Sequence, residues 1–144
     1  MKHIQRAIAL FGVGLLLMAS SALAQSNSQT RVNIPFSFVV GDKTLPAGEY
    51  LIRRNKRDSD NAWVIEPRAK GESVVLLTTP ARSADTPEKS TLVFNRYDDV
   101  YFLTAFWTAG SNTGRDVQMS DREETMAKAL AVKYEQVILT GQGK

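Results

Sequence analysis

The sequence predicts a mainly β domain: a single antiparallel β-barrel or β-sandwich of about seven strands, with one C-terminal amphipathic helix. Three observations carry this expectation. Short apolar runs recur between Gly, Pro, Asp and Ser clusters, and the clearest of them alternates with a period of two. One strand-length stretch, Val100 to Thr108, is apolar on both faces and so must be buried between two layers. Only the segment from Asp121 to about Lys133 carries helical spacing, and it follows nearly all of the strands. Strands first and a helix late is the order of a sheet structure with a helix packed on its outside.

The chain opens on a different kind of segment. Lys2, His3 and Arg6 form a basic start, Ala7 to Met18 is an apolar run, and Ala22-Leu23-Ala24 has the small residues of an export cleavage site. We read residues 1–24 as a signal peptide cut between Ala24 and Gln25. Its apolar run is about 12 residues, against roughly 20 for a membrane-spanning helix, so no transmembrane anchor is expected after cleavage. Residues 25–30 are polar and read as a flexible lead-in, and 31–144 as a single β-rich domain. The expected destination is periplasmic or secreted.

The strands follow in order. Val32, Ile34, Phe36, Phe38 and Val40 alternate with their neighbours and form one apolar row. Pro35 has no amide to donate, which suggests an edge strand or a start at Phe36. Gly41-Asp42 supplies a tight turn, and Leu45-Pro46-Ala47-Gly48 suits a type I turn. Further strands are expected at Tyr50 to Arg54, Ala62 to Glu66, Ser73 to Thr79, Thr91 to Tyr97 and Val100 to Thr108. The last two form a hairpin with Asp98-Asp99 at its tip. Strict alternation places Val100, Phe102 and Phe106 on one face of the last strand, with Tyr101, Leu103, Ala105 and Trp107 on the other.

The helix has its own punctuation. Ser120 and Glu123 make a capping box, Met126, Ala127, Leu130 and Tyr134 recur at helical spacing, and Glu124 and Lys128 form an i, i+4 pair. Gln136 to Thr140 then reads as a closing strand.

Three stretches, VNIPFSFVVGDKTLPAGEY from Val32, LVFNRYDDVYFL from Leu92 and WTAGSNTGR from Trp107, resemble a largely uncharacterised family of small exported β-rich proteins from environmental bacteria. The pattern usually places Gly where Asp98 stands. The resemblance implies an exported β-rich domain and carries over no catalytic residue or cofactor.

Composition narrows the chemistry. The 144 residues carry 18 basic and 15 acidic side chains, net +3, with one histidine and no cysteine. Cleavage after Ala24 removes Lys2, Arg6 and His3, leaving 16 basic against 15 acidic residues, or +1, and no imidazole. Disulfides, thiolate zinc sites, thiol nucleophiles and serine-histidine triads are therefore excluded from the processed chain. No catalytic residue, metal site or cofactor is assigned. Paired carboxylates are the remaining route to an enzyme, with Glu49, Glu66, Asp98, Asp99 and Asp116 available. The basic run Arg53, Arg54, Lys56 and Arg57 reads as a solvated strand end, because acidic residues follow at once and no aromatics interleave, so no nucleic-acid partner is expected. Asp98-Asp99 reads as a turn, Asp58-Ser59-Asp60-Asn61 as a loop, and Gly110 with Gly114-Arg115 as a structural loop.

The candidate ligand or partner contacts are Tyr101, Trp107 and Arg115. The first two lie on a face that must be covered by the helix or by a ligand; Arg115 can hold an anion by a bidentate contact. Three function classes follow. The leading one is an exported non-enzymatic envelope or secreted module that binds protein or glycan. The others are a carrier with a small apolar ligand inside a barrel, and a carboxylate-dependent hydrolase.

Overall fold

The structure is a computed structural model that describes residues 29–57, 60–130 and 134–141. The expected signal peptide and its Ala24–Gln25 cleavage site lie outside the described residues. Within them the fold is mainly β, with ten strands and one late helix. The strands are β1 (Gln29–Ile34), β2 (Phe38–Val40), β3 (Lys43–Leu45), β4 (Gly48–Arg54), β5 (Ala62–Pro67), β6 (Val74–Arg82), β7 (Thr91–Tyr97), β8 (Val100–Trp107), β9 (Thr113–Val117) and β10 (Glu135–Thr140), and the helix is α1 (Asp121–Leu130).

Hydrogen bonding runs in the order β1-β4-β5-β6-β9-β8-β2-β3, with β7 on the other edge of β8 and β10 beyond β7. The sheet is mixed and not closed. Every pairing is antiparallel except that of β2 with β8, where Phe38 lies beside Tyr101 and Val39 beside Phe102. That parallel pair corrects the expected all-antiparallel sheet. It arises because the alternating segment breaks at Pro35, which cannot donate to a ladder. Before the break β1 pairs with β4; after it β2 pairs with β3 and β8. Gln29 and Thr30, expected in the flexible lead-in, belong to β1, and Thr30 is buried with its hydroxyl 3.1 Å from that of Thr108.

The apolar row survives the break. Val32, Ile34, Phe38 and Val40 all enter one core, with Phe36 packed against it, and each strand from β1 to β8 contributes to that core. Aromatic rings fill its centre: Phe38 meets Tyr50 and Phe94 edge to face at 5.2 and 5.7 Å, and Trp63 meets Phe106 at 5.0 Å. Such pairs contribute about 0.5–1.5 kcal/mol each beyond the area they bury.

One irregularity in the β7–β8 hairpin decides which face each β8 side chain takes. Phe94 pairs with Leu103 and Val93 with Ala105, so Thr104 has no partner and the register shifts there. A bulge of one residue inverts the alternation beyond it. Leu103 and Phe106 therefore share the main core, with Tyr101 packed against it, while Phe102 turns to the opposite side. The expected grouping of Phe106 with Val100 and Phe102 is corrected accordingly.

That opposite side is where α1 lies. Val39, Tyr97 and Phe102 form a second buried cluster, covered by Val100, Met126 and Ala127. Ser120 Oγ accepts a hydrogen bond from the Glu123 amide at 3.2 Å, which caps the helix where the sequence places the cap. Lys128 Nζ donates to Glu124 Oε1 at 2.5 Å along the exposed face. Ten residues are fewer than the about 12–15 that an isolated helix needs in water, so α1 depends on its packing.

Candidate functional site

The β7–β8 turn is short because Tyr97 pairs directly with Val100, leaving only Asp98 and Asp99 between the strands. Asp98 has φ 56°, in the left-handed region. A positive φ at the first central residue alone is the type II′ pattern, which favours Gly there. An L-residue in that region costs on the order of 1 kcal/mol. Arg96 Nε donates to the Asp98 carbonyl at 2.8 Å and fixes the turn from β7.

Between this turn and α1 runs a groove of ≈ 580 Å³. Val100 from the hairpin and Met126, Ala129 and Leu130 from the helix give it an apolar wall. Asp98 and Asp99 border it from the turn and Asp121 from the first residue of α1. All three are exposed. Leu130 is 38% exposed, so the wall is open to solvent along the helix.

A buried polar contact holds the helix that forms this wall. Glu123 is buried, and its Oε1 accepts from Asn95 Nδ2 at 3.0 Å and from the Tyr97 hydroxyl at 3.3 Å. Burial pushes the Tyr97 hydroxyl above its ordinary pKa of 10.0, and the Glu123 carboxylate beside it pushes the same way. No lysine or arginine among the described residues forms an ion pair with Glu123. The capping box is thus half used: Ser120 Oγ caps the Glu123 amide, while the Glu123 side chain turns inward to β7.

Comparison with known proteins finds no match among family models, curated proteins or solved structures.

The three residues singled out from the sequence are not gathered into one site. Tyr101 stacks on Phe36 at 4.0 Å, with the Arg96 guanidinium 5.6 Å above its ring. It faces the main core side, whereas α1 covers the opposite side of β8, so the helix is not what covers Tyr101. Trp107 lies six residues further along the strand, about 20 Å away. Its indole rests on Gly114, where a Cβ would stand 2.3 Å from Nε1. Gly114 and Arg115 belong to β9, so the expected structural loop is a strand at that point. The Arg115 guanidinium sits 5.5 Å over the Trp63 ring, and its Nη1 donates to Asn61 Oδ1 at 3.4 Å. That contact ties Arg115 to neighbouring strand ends.

Two of the five available carboxylates are tied as well. Glu49 pairs with Arg31 at 3.4 Å and Glu66 with Arg53 at 3.3 Å. Within the basic run, Arg53 has Glu66 and Arg54 has Asp60 at 3.2 Å. Among the described residues no group of three or more acidic or imidazole side chains is placed to hold a metal ion. Val75, Leu77 and Met119 leave a further apolar surface across β6, each more than half exposed beside a depression of ≈ 310 Å³.

In the sequence Asp98 and Asp99 stand as turn residues and as two of five available carboxylates, and Met126 and Leu130 as helix packing residues. Their common groove depends on where α1 docks, which no local pattern states. Glu123 carried a signal, but the capping-box reading absorbed it.

Proposed function

We propose that this chain is an exported, non-enzymatic binding module of the periplasm or extracellular space, and that it binds a partner through the groove between α1 and the β7–β8 turn. The observation that carries the reading is the groove itself: an open apolar wall of Val100, Met126, Ala129 and Leu130 beside exposed carboxylates. Its volume of ≈ 580 Å³ falls within the range of pockets that seat a ligand or an anchoring side chain. The basic start, apolar run and Ala22-Leu23-Ala24 of the N-terminus support export. The carrier reading placed its ligand inside the barrel, where Phe38, Tyr50, Phe94 and Phe106 are instead fully buried against one another. The hydrolase reading has less support, because Glu49 and Glu66 are held by arginines.

The test is to pan a displayed random-peptide library against the exported protein, with Leu130→Gln as the counter-target. Leu130 is exposed enough for the change to spare the fold. The expected result is an enriched set of peptides that bind the parent and lose affinity for the variant. Enriched peptides that bind both equally would overturn the groove as the binding site.

A further inference from the structure

We propose that the partner taken by the groove is a cationic amphipathic peptide segment, in which apolar side chains are flanked by lysine or arginine. This rests on the groove being the binding site and adds the chemical class of what it binds. The apolar wall selects an apolar anchor, and the charges around it select what flanks that anchor. Asp98 and Asp121 form no ion pair among the described residues. Asp99 has only Arg96, at 3.9 Å, with its own carboxylate side chain 93% exposed. Arg96 is meanwhile engaged by the Asp98 carbonyl, Glu135 and the Tyr101 ring. Arg122 also lines the groove, but its Nη1 donates to Thr44 Oγ1 at 2.9 Å and so reaches toward β3. Three carboxylates against one guanidinium leave the groove lining net negative, on a chain whose overall charge is positive.

Geometry sets the length. From Asp121 to Leu130 the helix wall extends about 13 Å. An extended segment of about four residues covers that distance. An anionic lipid surface or an acidic peptide would meet three carboxylates of its own sign, so the charge pattern disfavours both. Gly would hold the Asp98 turn without strain, yet the position carries an acidic residue that borders the groove.

Three fluorescent peptides of equal length test this, each alternating leucine with lysine, glutamine or glutamate, titrated by anisotropy against the exported protein. The lysine peptide is expected to bind most tightly and to weaken as salt is raised. Asp98→Asn, Asp99→Asn and Asp121→Asn should each weaken it roughly 2- to 5-fold, and Leu130→Gln should weaken all three peptides. Asp98→Gly should weaken the lysine peptide as Asp98→Asn does, while leaving the protein at least as stable to heat. If the glutamine or glutamate peptide binds as tightly and still depends on Leu130, the groove stands and the cationic class is overturned. If no peptide responds to Leu130→Gln, the groove reading falls as well. Self-association abolished by Leu130→Gln, or Leu130-dependent retention on phosphatidylglycerol vesicles, would overturn the proposal in favour of a second copy or a lipid surface.

Discussion

Glu123 and Asn95 meet at 3.0 Å beneath α1, both buried, so that one carboxylate oxygen ties the helix to the centre of β7. Tyr97 donates to the same oxygen at 3.3 Å. Replacing Glu123 by Ala leaves two buried donors without an acceptor, at a cost of about 3 kcal/mol. Gln keeps one acceptor and should cost about 1 kcal/mol. Urea unfolding of the two variants checks the order; equal and small losses would show that the helix is held by its apolar contacts alone.

The same contact makes stability depend on alkaline pH. Burial and the Glu123 carboxylate raise the Tyr97 pKa, and burial raises that of Tyr50. A raised pKa means that the folded state holds the phenolic proton more tightly than the unfolded state. The contribution is fully present below the ordinary value of 10.0 and is lost as pH rises through the higher folded value. Melting temperature should therefore fall as pH is taken above about 10, and less steeply in Tyr97→Phe. An identical alkaline slope in that variant would remove Tyr97 from the explanation.

Gly114 gives Trp107 its place. A methyl group there would stand 2.3 Å from Nε1 of a rigid ring, so Gly114→Ala should destabilise by about 1–3 kcal/mol. Trp107→Leu in the same chain should recover part of the loss, because the smaller side chain leaves room for the methyl. A double-mutant cycle by chemical denaturation reads the coupling, and additive losses would show that the two positions do not meet.

Asp98→Gly removes a side chain from a φ of 56° and should stabilise the protein by about 1 kcal/mol. The denaturation midpoint should rise with an unchanged slope. A lower midpoint would mean that the Asp98 side chain stabilises the turn by more than its backbone strain costs.

What was readable in the sequence was whatever local pattern dictates. The apolar row from Val32 to Val40, the two-faced strand from Val100 and the Ser120 cap each appear where residue spacing places them. Lys43–Leu45 and Thr113–Val117 were not readable as strands, because each is short and buries a single residue. They are strands by virtue of their neighbours. The parallel partner of β2 and the bulge at Thr104 depend on contacts between distant segments, and so does the inward turn of Glu123. The groove belongs to this second group: Asp98 and Leu130 are 32 positions apart in the chain and share a surface only because α1 docks on β7.

The most direct test of the binding account is the affinity of the leucine-lysine peptide for the protein and for its Leu130→Gln variant, measured side by side with the folded state of both confirmed by their melting curves. The groove account expects clear binding to the parent, salt-sensitive and weakened several-fold in the variant at unchanged fold. Equal affinity for the two proteins would contradict it.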